Sequence, residues 1–147
     1  MASLNRLAFS ATLHCLTGCA IGEVLGLAIA TTLGWGNAAS IAIAVVLAFL
    51  FGYSFTLVPL LRGGIALGVA IGLALASDTL SILVMEIVDN AIVLLWPGAM
   101  DAGLRDILFW GSLAIAFVAA FPVNRALIAR GRGHALVHAH HGHRATS

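Results

Sequence analysis

Charge is scarce in this sequence, and lysine is missing altogether. Charged residues make up 9% of the 147 positions, hydrophobic residues 61%, and mean hydropathy is +1.08. A water-soluble domain of this size needs far more charge to cover its surface, so a soluble globule is excluded. No glycine-rich loop joins a strand pattern to a helix pattern, which leaves no nucleotide cradle. The net charge of +1 speaks against a nucleic-acid partner. No hydrolase triad can be assembled, and no residue is assigned a catalytic role.

Long apolar runs are what the chain has instead. A bilayer core takes about 20 apolar residues per helix, and the runs 8–33, 38–61, 65–96 and 107–128 each supply them. The links between them, GWGN, RGG and PGAMDAGLRD, are short, so consecutive helices run antiparallel. The expected fold is all-α: an integral membrane four-helix bundle over residues 1–129, with no separate soluble domain. A histidine-rich, basic tail follows over 130–147. With no lysine, orientation rests on arginine. If the N-terminus is cytoplasmic, Arg6, Arg62, Arg125, Arg130, Arg132 and Arg144 fall inside and only Arg105 outside. Trp35, Trp96 and Trp110 then all lie at the outer interface. Both termini are thus expected in the cytoplasm, with the chain multi-pass in a bacterial inner membrane.

Leu16-Thr17-Gly18-Cys19 has the form of a lipoprotein cleavage site. The apolar sequence runs on well past Cys19, where a lipoprotein turns polar, and a signal's apolar core rarely holds a histidine. The stretch is therefore read as helix.

Acidic residues and histidine inside the runs are confined to two of them. Helix 1 carries His14 and Glu23; helix 3 carries Asp78, Glu86 and Asp89. A charge at mid-bilayer costs at least about 2.5 kcal/mol and normally faces a bundle interior, so helices 1 and 3 are expected to face each other, shielded by 2 and 4. Cys15, Cys19 and Glu23 recur every four residues and stack on one face. Gly18, Gly22 and Gly26 form a neighbouring stripe, and Gly64, Gly68, Gly72 and Ala76 another on helix 3. Both read as helix-packing surfaces, because glycine lets a second backbone come close. Asp78, Ser81, Met85 and Asp89 share a face of helix 3, with Glu86 at its edge.

Depth sharpens the expectation. At about 1.5 Å per residue, counting from Ala8 and Ile65 puts Glu23 and Asp78 near the same height and Glu86 and Asp89 well above them. The polar run Ser77-Asp78-Thr79 is the expected place for helix 3 to break. Two thiols one turn apart suit copper or zinc, with His, Met or carboxylate partners. A disulfide within one turn is geometrically poor. The candidate metal site is therefore His14, Cys15, Cys19, Glu23 and Asp78, with Ser81, Met85, Glu86 and Asp89 along the pathway. In the tail, His134, His138, His140, His141 and His143 form a second candidate metal-binding set.

HCLTGCAIGE on helix 1, with DTLSILVMEIVDN and PGAMDAGL further on, resembles a family of small bacterial and archaeal membrane proteins catalogued as a domain of unknown function. The resemblance covers Ala8 to about Ile128 and its HCxxGCxxGE motif. It implies a four-helix fold and a shared site, with no mechanism attached, and the histidine tail lies outside it. The functional expectation is a membrane protein, a transporter rather than an enzyme, that binds and moves a transition-metal cation (copper or zinc) as a homo-oligomer. The alternatives are a redox or metal-hand-off factor using the cysteines, and a purely structural subunit whose polar groups hold helices together.

Overall fold

Two glycines decide where the first helices stop. In the computed structural model, which describes residues 2–98 and 107–130, helix α1 spans Ala2–Thr32, α2 Asn37–Arg62, α3 Leu67–Leu95 and α4 Ile107–Ala129. Gly34 follows α1 at φ 66° and Gly64 follows α2 at φ 79°, a left-handed conformation open to glycine at little cost. Beyond α1, the Trp35 N–H donates to the Ala30 carbonyl (2.9 Å) and the Gly34 N–H to that of Thr31 (3.2 Å). Beyond α2, the Ile65 and Gly64 N–H groups donate to Leu60 and Leu61 in the same pattern, at 3.1 and 2.9 Å. Both turns satisfy carbonyls that a helix end leaves free and send the chain back across the bundle.

All four helices are long and apolar enough to cross a membrane, with mean hydropathies from 1.7 to 2.4, and no strand occurs among the described residues. The burial pattern is that of a membrane protein. Leu50, Leu80, Ile87 and Val118 face outward, while Thr12, Ser77, Ser81 and Asn124 are buried. Lipid tails solvate the first set, and only the bundle interior can satisfy the second.

α1 packs against both α2 and α4 and meets α3 across the centre of the bundle. Its closest backbone approach is to α2. A Cβ on Gly26 would lie 2.6 Å from the Ala44 Cα, and one on Gly18 would lie 3.0 Å from the Gly52 Cα. Gly22 abuts the Leu47 carbonyl and the Ala48 nitrogen so closely that no side chain fits. The first glycine stripe is therefore a seam with α2. On α3, a Cβ on Gly68 or Gly72 would meet nothing within the described chain.

α3 runs unbroken through Ser77-Asp78-Thr79, where a break was expected. The polar groups are served locally: the Ser77 hydroxyl donates to Ala74 O at 3.2 Å and that of Thr79 to Leu75 O at 2.7 Å. Side chains that bond back into their own helix leave no reason for it to open.

Candidate functional site

Three layers of polar groups occupy the interior where α1 meets α3. The lowest is centred on Asp78, 2% exposed. Its Oδ1 accepts a hydrogen bond from the Ser77 hydroxyl at 2.9 Å. Thr56 of α2 turns its hydroxyl toward the same carboxyl, and the His14 ring lies within electrostatic reach. His14 itself reaches across to α2, with its Nε2 2.8 Å from the Phe55 carbonyl oxygen. Pro59 explains that contact. A proline has no N–H to give to the carbonyl four residues earlier, which is that of Phe55. With Nε2 donating, His14 supplies the missing partner.

The middle layer is sulfur. Cys15 and Cys19 are 3% and 2% exposed, and their thiols lie within hydrogen-bonding reach of each other. Met85, equally buried, belongs to the same cluster with Ile82 and Ala116. Gly52 makes room there, since a Cβ on it would lie 2.8 Å from Ile82 Cδ1 and 3.4 Å from Cys19 Sγ. A hydrogen-bonded chain anchors the layer to α4. Asn124 donates to the Ser81 hydroxyl and to the Thr12 hydroxyl, each at 2.9 Å. Ser81 donates in turn to Cys15 Sγ at 3.6 Å, and Thr12 to Ala8 O at 2.7 Å. One carboxamide thus ties α1, α3 and α4 together beside the thiols, using both of its N–H donors. Asn124 escaped the sequence reading, which searched helix 4 for charge. A lone carboxamide in an otherwise apolar span was the available signal.

The upper layer is acidic. The Glu23 and Asp89 carboxyl groups are within hydrogen-bonding reach of each other, with Glu86 alongside. The Asn90 carboxamide donates to Glu86 Oε2 at 3.4 Å and to the Glu86 carbonyl at 2.8 Å. Above them opens a cavity with about 50 Å³ of free space, whose polar lining is Glu23, Asp89, Asn90 and Ser112. Among the described residues, the buried ionisable groups are four carboxyls and two thiols, and none is basic.

Glu23 therefore stands with Asp89 and Glu86, whereas the count from Ala8 and Ile65 set it beside Asp78. The origin of the count was at fault. α1 begins at Ala2 and α3 at Leu67, so Glu23 lies 21 residues along its helix and Asp89 lies 22 along its own. By the same count His14 matches Asp78, and Cys15 matches Ser81. The five expected ligands are consequently spread over three levels. Among the described residues, no three His, Cys, Asp or Glu side chains converge closely enough to hold one ion. The tail set His134, His138, His140, His141 and His143 lies outside the described residues.

A family model described as a domain of unknown function (DUF4396) matches residues 4–133, and the chain belongs to that family. No curated protein and no solved structure matches it.

Proposed function

We propose that this family member binds copper(I) at Cys15, Cys19 and Met85 and carries it across the membrane. The observation behind this reading is the middle layer, where three sulfur-bearing side chains are buried in one cluster between α1 and α3. Thiolate and thioether sulfur suit Cu(I). Zinc, the other metal the cysteines suggested, asks for four ligands in a tetrahedron, and His14 and Asp78 lie a layer away from the thiols. Copper(I) is therefore preferred to zinc.

Glu23, Glu86 and Asp89 place carboxyl groups on the outer side of the sulfur, and Asp78 does so on the inner side. A cation crossing the bundle meets an acidic group before and after the thiols, and among the described residues no buried basic group opposes it. Ser81 holds Cys15 in place, and the tail histidines collect metal at the cytoplasmic surface. In this reading both termini are cytoplasmic, the membrane is a bacterial inner membrane, and the chain works as a homo-oligomer. Gly68, Gly72 and Ala76 are exposed along α3, a small-residue stripe of the kind that lets a second helix approach.

Copper(I) flux into proteoliposomes tests the reading, with ascorbate keeping the metal reduced and a trapped chelating dye reporting it. Wild type should carry copper, and Cys19→Ser should reduce the rate at least tenfold. Equal rates in both would refute transport through the thiols.

A further inference from the structure

Proton positions beside the thiols follow from which atoms can only accept. The Ala8 carbonyl has no proton to give, so the Thr12 hydroxyl directs its single proton there, at 2.7 Å. Thr12 must then accept from Asn124, which makes the atom 2.9 Å away the amide Nδ2 rather than the oxygen. The same Nδ2 lies 2.9 Å from the Ser81 hydroxyl, so Ser81 also accepts. Its own proton consequently points away from Asn124 and onto Cys15 Sγ, at 3.6 Å. Asn124, Thr12, Ser81 and Cys15 are each at most 3% exposed, so neither water nor lipid headgroup competes for these bonds. Cys19 is held differently. The Cys15 thiol is within its reach, but among the described residues no hydroxyl or carboxamide donates to it.

We infer that Asn124 is a positioning residue of the sulfur site, acting through Ser81 to fix Cys15 as the anchored ligand. It touches no metal ligand itself. Its two N–H groups set the direction of the Ser81 hydroxyl, and that hydroxyl sets the orientation of the Cys15 side chain. Donors of this kind hold a ligand in its binding geometry before the metal arrives. They also strengthen once the sulfur is a metal-bound thiolate, because hydrogen bonds to a charged acceptor are the stronger ones. The fold supports the arrangement: Cys15 is on α1, Ser81 on α3 and Asn124 on α4, so the ligand is referenced to three helices at once. This inference rests on the copper reading and adds how one of its ligands is held.

A double-mutant cycle on copper(I) affinity tests it. The full-length chain, with its five tail histidines replaced by alanine, is reconstituted in lipid nanodiscs and titrated anaerobically against a chromogenic copper(I) chelator. Loss of a group that orients a metal ligand typically costs about 10–100-fold in affinity, so Ser81→Ala and Asn124→Leu should each weaken copper(I) at least tenfold. Because Asn124 acts through Ser81, adding Asn124→Leu to Ser81→Ala should weaken it by less than about twofold more. A merely structural asparagine predicts otherwise: a loosened bundle weakens copper by the same factor in both backgrounds, and that result overturns the inference. Unchanged affinity in Ser81→Ala overturns it too. Helical content identifies a variant that has lost its fold. If Asn124→Leu is such a variant, Thr12→Val replaces it in the cycle. That change keeps the side-chain shape and removes the acceptor that holds the carboxamide's orientation, so it too should weaken copper only while Ser81 is present. Cys15→Ser/Cys19→Ser separates the two claims. If the parent binds no more copper than this variant, the copper reading fails and the inference with it. If the parent binds through its thiols while the Ser81 and Asn124 variants match it, only the positioning role is lost.

Discussion

Replacing His14 by phenylalanine removes its hydrogen bond to α2 and should cost measurable stability. The ring contact between His14 and Phe55, edge-on with centroids 5.3 Å apart, is retained by phenylalanine. The Nε2 donor, 2.8 Å from the Phe55 carbonyl, disappears, and so does the ring's electrostatic contact with Asp78, which the background below holds constant. Interhelical hydrogen bonds in membranes average about 0.6 kcal/mol and reach about 1.7, and an unsatisfied buried acceptor costs about 1–3 kcal/mol. Phe55 is partly buried, which places the expected loss at about 1–2 kcal/mol. The Pro59→Ala background supplies the internal control. Alanine restores the N–H that proline lacks, so the Phe55 carbonyl regains a partner within α2 and His14 becomes dispensable there. The same His14→Phe change should then cost less than about 0.5 kcal/mol, giving a coupling near 1 kcal/mol in the double-mutant cycle. Reversible unfolding in mixed detergent micelles measures all four proteins. Equal losses in both backgrounds would refute the account and shift the role of His14 to its neighbour Asp78.

Other expectations follow from the same interior. Gly22→Val should prevent α1 from seating on α2 and abolish the folded protein on an unfolding assay. Gly72→Val, facing open space in the described chain, should leave the protomer folded and shift only its apparent mass in a crosslinking or native-mass measurement. Asn124→Leu removes two hydrogen bonds to other helices and should cost about 1–3 kcal/mol in the same unfolding assay. Topology reporters fused to either end should place both termini in the cytoplasm, and an active periplasmic phosphatase at the C-terminus would reverse that orientation.

The four helices were legible because a membrane span announces itself by length and hydropathy, and short polar links mark its ends. The burial of the polar stripes was legible too, since a charge in lipid has few places to go. Register between α1 and α3 was not, because hydropathy marks where a span becomes apolar and not where its helix begins. α1 starts six residues before the first residue counted, at Ala2 rather than Ala8, and that offset moved Glu23 from Asp78 to Asp89. The partner of the first glycine stripe was equally hidden, since Gly18, Gly22 and Gly26 permit a close approach without naming the helix that makes it. His14 illustrates a third limit. It read as a ligand, yet its bond to the Phe55 carbonyl depends on a proline in another helix, 45 positions further along the chain.

Metal analysis of the purified chain tests the central claim most directly. After anaerobic loading with copper(I) and removal of the excess, wild type with its tail histidines replaced by alanine should retain about one copper per chain. X-ray absorption at the copper edge should show a sulfur-only coordination shell. Cys15→Ser/Cys19→Ser, folded to the same helical content, should retain almost none. Equal copper in the two proteins, or a shell built of nitrogen and oxygen, would contradict a sulfur site between α1 and α3.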